Sequence, residues 1–298
     1  MGTAPGQFFY PRSAAVSEEG ELCVVDRSGR IQWFRADGSL LCAFFLPEYK
    51  RGQPTGINFS RRGDLLVADS HYGRFLVYRR PEGPACTEPP PIAASWGREG
   101  EGEGEFTLIR DVVEDSRGDL YAGDYNGPQD RIQKFDGSGK FLLAWGRRGV
   151  EEGEFQRPQG LAIERRADGS EFLLVADSCN HRVQRFSLDG RFVGSFGRLG
   201  SEPGEMKYPY GVAAAQAGSA TGSMAGSPAV YVIEWGNNRV QRFDLEGRPT
   251  GRWGRAGRGP GEFATPWDIA VGPGGRLYVV DFGNHRVQVL DLARTAGG

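Results

Sequence analysis

Short apolar runs, each alternating with polar positions and bounded by glycine, aspartate or proline, recur along the whole chain. Arg182-Val183-Gln184-Arg185-Phe186 and Arg286-Val287-Gln288-Val289-Leu290 show the period-two alternation of a half-buried strand, and nothing in the pattern calls for a helix. The runs fall into a repeat. Gly-Glu-Phe stands at 104–106, 153–155 and 261–263, with Gly-Glu-Met at 204–206 and Gly-Gln-Phe at 6–8 as variants. A proline (Pro11, Pro54, Pro158, Pro209, Pro266) then leads into a first run, and Ile109 takes that slot in the third unit. A second run ends in an acid: Asp26, Asp69, Asp124, Asp177, Glu234 and Asp281. A third starts at an arginine: Arg30, Arg74, Arg131, Arg182, Arg239 and Arg286. A fourth ends in aromatic-Gly at Trp96, Trp145, Phe196 and Trp253.

Four strands per unit and six units predict an all-β fold, a six-bladed β-propeller of four-stranded antiparallel blades. The chain is expected to form a single domain over 1–298, with blades at about 6–52, 53–103, 104–152, 153–203, 204–260 and 261–298. The sixth unit has no fourth run of its own. It is expected to be three-stranded, or to borrow a very short strand from the N-terminus, and its free edge would then suit strand addition by a partner.

Composition agrees with many tight turns and little else. Glycine numbers 46 and proline 18 of 298 residues, below the share of about 25–30% that marks low-complexity disorder. The net charge of −2 lacks the basic excess of a typical nucleic-acid binder. The four cysteines form no Cys-x-x-Cys pair and no zinc-type cluster with histidine. No apolar stretch approaches the ~18 residues of a membrane span, and the first residues do not read as an export signal, so no membrane association and a cytoplasmic location are expected.

The landmarks resemble those of the NHL-repeat propellers. Asn180-His181-Arg182 and Asn284-His285-Arg286 are similar to that family's signature tripeptide, Asn237-Asn238-Arg239 departs by one residue, and the first three units depart further. The resemblance implies a propeller used as a protein-interaction or RNA-binding module, as a sensor domain or, in one branch, as a peptide-amidating lyase. The zinc domains of the ubiquitin-ligase members are absent from this sequence.

In a blade of this kind, the loop into the first strand and the turn between the second and third strands share one face. The residue after the proline should then point to the channel mouth, which gives a ring of Arg12, Thr55, Arg110, Gln159, Tyr210 and Trp267, flanked by Tyr72, Tyr125, Trp235 and Phe282. Arginine offers a fixed fork for carboxylate or phosphate, and aromatics with arginine are the types enriched in binding hot spots. The ring lacks the histidines with which the lyase branch holds zinc, so no catalytic residue, metal or cofactor is expected. His71, His181 and His285 fall in the second-to-third-strand turns, where local bonding to backbone is expected. Asp111 and Asp268 sit one step beyond the ring, where Gly56, Gly160 and Gly211 stand in other units, and read either as turn caps or as a channel acid pair. The six acid/arginine pairs read as structural. Three irregular segments, Glu99 to Glu105, Ala215 to Pro228 and the proline-rich Pro81 to Pro91, read as surface loops.

The expected function is a non-enzymatic module recognising a protein or peptide through the channel face. Two alternatives stay open: an enzyme of the six-bladed lactonase or lyase type with a channel metal, and single-stranded RNA binding by stacking on the aromatic residues.

Overall fold

The computed structural model describes all residues except 1, 3, 49–53, 84, 85, 87, 127, 128, 216–227 and 292–298. Each unit forms an antiparallel sheet whose strands lie side by side in chain order. The innermost strands are Pro11–Val16, Gly56–Phe59, Ile109–Glu114, Pro158–Arg165, Pro209–Ala215 and Asp268–Val271. Five sheets have four strands. The sixth has three, Asp268–Val271, Arg276–Asp281 and Arg286–Asp291, and no further strand pairs with it among the described residues. The protein is therefore a six-bladed β-propeller with an incomplete last blade. Among the described residues no helix is long and apolar enough to cross a membrane.

Alternation along each strand feeds two cores, because every blade is covered on both faces. Val25, Ile31 and Trp33 of blade one pack with Ile57, Val67 and Leu76 of blade two. Val24, Ala14 and Phe34, on the opposite face of blade one, pack with Val280 of blade six, which closes the ring. The aromatic of each Gly-Glu-Phe wedges between blades: Phe106, Phe155 and Phe263, with Met206 in the variant, are all fully buried.

The polar part of the repeat holds that wedge in place. All six acid/arginine pairs form, at 2.5 to 3.3 Å. In blade four the Arg182 guanidinium continues to the carbonyls of Glu151 and Glu154, and the Gln184 amide donates to Glu154 O while accepting from Gly153 N. The same reading of the Gly-Glu loop recurs at Gln133, Gln241 and Gln288. Arg-x-Gln in the third strand thus recognises the backbone of the loop ahead of its own blade.

One cross-link was not legible in the sequence. Cys42, on the outer strand of blade one, is disulfide-bonded to Cys86 in the proline-rich excursion of blade two, with Cα atoms 5.1 Å apart. Cys86 N–H also donates to Leu41 O, so this loop lies against the edge of the neighbouring blade. Residues 84, 85 and 87 of the excursion lie outside the described residues, as does most of the Ala215 to Pro228 insertion. The Glu99–Glu105 segment is an exposed loop, as expected, although Arg98–Glu99 and Glu105–Phe106 pair across it as two short parallel strands.

Candidate functional site: the channel mouth

A bulge positions the ring. Pairing between the first and second strands slips after the first residue in blades one, three, four and five, at Pro11/Ser13, Ile109/Asp111, Pro158/Leu161 and Pro209/Gly211. Arg12, Arg110, Gln159 and Tyr210 fall in the slip, and such an extra residue re-aims its side chain away from the sheet. Thr55 and Trp267 sit just ahead of their strands.

Four of the six ring residues meet. The guanidinium carbons of Arg12, from blade one, and Arg110, from blade three, each lie 5.2 Å from the centroid of Trp267 of blade six. Trp267 stacks on Phe282 at 4.4 Å with the planes 6° apart, and Tyr210 meets Trp267 edge-on at 5.9 Å. Contact continues from Tyr210 to Trp235, Tyr208 and His181 on one side, and from Phe282 to Tyr10, His285 and Phe9 on the other. An unbroken aromatic arc therefore spans blades four, five, six and one.

The remaining expected residues behave differently. Thr55 is buried and spends its hydroxyl on Ser70 and on the carbonyls of Ile109 and Arg110, so it fixes blade two to blade three. Gln159 is 2% exposed and its Nε2 has no hydrogen-bond partner among the described residues. Tyr125 lies under Arg157, at 5.5 Å, and Tyr72 under Arg74, at 4.8 Å, outside the arc. Sequence reasoning missed Tyr10, Arg157 and Tyr208. Each is the residue before the repeat proline, a slot whose aromatic or arginine content was there to be read.

Those pre-proline residues are held by latches between blades. Tyr10, Arg157, Tyr208 and Thr265 all have positive φ, between 46° and 57°, a conformation that costs a non-glycine residue energy unless its surroundings impose it. Each donates its N–H to a turn side chain of the preceding blade: His285 Nδ1 at 3.1 Å, Asp130 Oδ2 at 2.7 Å, His181 Nδ1 at 3.1 Å and Asn238 Oδ1 at 2.7 Å respectively. Burial lowers the pKa of both latch histidines, which favours the neutral acceptor form. His181 and His285 therefore bond backbone, but on the next blade instead of locally.

The mouth is electrostatically unbalanced. Burial, then the charge of Arg110, pushes Arg12 down to about 10. Among the described residues no carboxylate pairs with Arg12, Arg110 or Arg157, whereas the repeat acids are all engaged by their own arginines. Below the ring, Asp111 and Asp268 of opposite blades combine both roles considered from sequence. They cap neighbouring strands, Asp111 accepting from Leu161 N–H and Asp268 from Ala14 N–H and the Ser13 hydroxyl. They also repel one another: burial, then the Asp268 charge, raises Asp111 to about 8. Gly56 and Gly211 make room for them, since a Cβ on either would fall within 2.7 Å of a neighbouring carboxylate oxygen.

A lactonase-type calcium site does not fit these residues. Calcium takes about six or more oxygens. Here two carboxylates face each other with every oxygen already accepting a protein donor, and no trio of His, Cys, Asp or Glu gathers among the described residues.

Comparison with known proteins agrees with this architecture. The NHL repeat family matches residues 263–290. The protein brain tumor of Drosophila melanogaster is 39% identical over 59 residues, which is 20% of this chain and 5% of that protein. Among solved structures, virginiamycin B lyase of Staphylococcus aureus superposes with a TM-score of 0.60 at 15% identity, over 97% of this chain and 86% of that one. A gluconolactonase of Xanthomonas campestris gives 0.61 at 15% identity, over 92% and 84%. At such identities the structural likeness speaks for the fold alone. The acid and arginine recur in all six blades and the glutamine in five, with Leu76 in its place in blade two, and the last of these blades is an NHL repeat.

Proposed function

We propose that this propeller is a non-catalytic binding module that takes a protein or peptide on its channel-mouth face. The observation that carries this reading is the aromatic arc from His181 to Phe9, set beside arginines that pair with no carboxylate among the described residues. Flat apolar surface together with guanidinium groups that carry no paired acid is the kind of surface enriched in binding hot spots. The lyase and gluconolactonase that share the fold are enzymes. Their chemistry is not carried over, because the channel acids here are consumed by capping bonds.

Affinity capture with the full chain, followed by mass spectrometry, tests the reading. The partner should bind wild type and be lost when Arg12, Arg110 and Trp267 are replaced together, at a temperature where the triple variant is still folded. Unaltered affinity in that triple variant overturns it. Capture of single-stranded RNA with steeply salt-dependent affinity would instead transfer the face to nucleic acid.

The Cys42–Cys86 bridge supports an oxidising compartment over the cytoplasmic location expected from the sequence, since such bonds persist where thiols are not kept reduced.

A further inference from the structure

We propose that the mouth is a carboxylate receptor: Arg12, Arg110 and the amide of Gln159 together hold one carboxylate group of the peptide partner, with Trp267 as the wall behind it. This rests on the binding-face reading above and sharpens it to a chemical class.

Three observations carry the inference. Two guanidinium groups from different blades converge on one indole, and among the described residues no carboxylate forms an ion pair with either. Arg110 spends Nη1 on Thr55 O, while Asp111 and Asp268, within electrostatic reach of Arg110, give their oxygens to other donors. Second, two ring positions carry buried donors without acceptors among the described residues: Arg12 Nε and Gln159 Nε2, the latter on a side chain that is 2% exposed. A buried N–H without a partner is rare in folded proteins, and an acceptor arriving with a ligand satisfies it. Third, the acceptor has to be anionic and compact. The guanidinium fork matches a carboxylate in two parallel bonds.

Phosphate presents the same oxygens, but the surroundings select against a polyanion. The connections into blades three, four and five share this face and carry exposed Glu99, Glu101, Glu103, Glu151, Glu152 and Glu202, against exposed Arg148 there and Arg255 and Arg258 on the connection into blade six. A strand of phosphates laid over the first three connections would meet this acidic side. A peptide with a single carboxylate and apolar neighbours passes it and lays those neighbours on the aromatic arc.

The experiment uses the full chain and defined probes. They are a capped pentapeptide with one central glutamate between phenylalanines, its glutamine counterpart, a capped tripeptide ending in a free phenylalanine carboxylate, inorganic phosphate and a single-stranded oligouridine. Calorimetry gives affinity, and the Trp267 indole N–H resonance, assigned through Trp267→Phe, reports the place. At least one carboxylate peptide should bind tenfold or more tighter than the glutamine peptide and move the Trp267 signal. The tighter of the two carboxylate probes identifies side chain or chain terminus as the source. Arg12→Gln and Arg110→Gln should each abolish the preference, and the wild-type acid/amide comparison holds even if a variant folds poorly. Equal binding of acid and amide, no binding of any carboxylate peptide at millimolar concentration, or tighter binding of phosphate or oligouridine overturns the proposal. If a captured partner depends on Trp267 and Tyr210 while acid and amide bind alike, the binding face stands and the carboxylate receptor falls.

Discussion

His285 Nδ1 accepts the backbone N–H of Tyr10 at 3.1 Å, so the last blade latches the first across 275 residues of sequence. The bond works alongside the apolar seam between those blades and fixes Tyr10 at the end of the aromatic arc. His285 itself has φ 57°, and the same slot holds Asn238 in blade five and Gly73 in blade two. Three substitutions separate the two roles. His285→Asn should keep both the acceptor and the tolerance of positive φ, and leave stability close to wild type. His285→Gly keeps the positive φ but loses the acceptor, at about 0.5–1.5 kcal/mol, together with the ring contacts to Tyr10 and Phe9. His285→Ala loses both and should be the least stable, by a further ~1 kcal/mol. Denaturant unfolding that places alanine level with asparagine would show that the latch contributes nothing.

Asp177 shows how far the acid/arginine pairs are structural. Its carboxylate is fully buried and accepts from Gln156 N–H, Asn180, Arg182 and Gln184, which makes it the hub from which the wedge loop of blade four is held. Asp177→Ala strands the Arg182 charge in a partly buried site and should cost about 3–5 kcal/mol. Affinity for a channel-mouth ligand should persist at temperatures where the variant is folded. Selective loss of binding with unchanged melting would make these pairs functional and contradict their regular structural role.

The repeat register explains why so much could be read from sequence. Period-two runs, the six acids with their arginines and the missing fourth run of the last unit are all local, and each reappears as strands, ion pairs and a three-stranded blade. What escaped was contact between blades. Whether Cys86 folds back onto blade one depends on the path of an irregular excursion, and Thr55 turned its hydroxyl to blade three because a backbone carbonyl lies there. Asp111 and Asp268 left two readings open in sequence because their facing partners sit on the opposite side of a ring.

Reduction of Cys42–Cys86 offers a measurable consequence of one such contact. The bond closes a segment of 44 residues and pins the blade-two excursion to the edge of blade one. Removing it with a reductant, or by Cys86→Ser, should lower stability by about 2–4 kcal/mol. Free Cys23 is buried, so the thiol count under denaturing conditions should be two before reduction and four after. Four reactive thiols in the unreduced denatured protein would exclude the bridge.

The channel acids predict how stability depends on pH. Asp111 sits at about 8 in the folded protein against about 3.9 in an unfolded chain, so folding favours its protonated form. A raised carboxyl contributes its full stabilisation below the unfolded value and loses it as pH climbs to the folded one. Stability should therefore fall between about pH 4 and pH 8, by up to ~1.4 kcal/mol per pH unit from this group, and level off above. Burial is the first cause and the Asp268 charge the second, so Asp268→Asn removes part of the rise and should bring Asp111 lower. Asp268→Asn also disturbs the bonds to Ser13 and Ala14, which lowers stability at every pH, so the slope is the informative quantity. Unfolding free energies measured at intervals from pH 5 to pH 9 should give a shallower decline for Asp268→Asn than for wild type. Burial raises Asp268 as well, so the shallower slope combines the loss of its own titration with the lowering of Asp111, and parallel curves would mean that Asp268 contributes to neither.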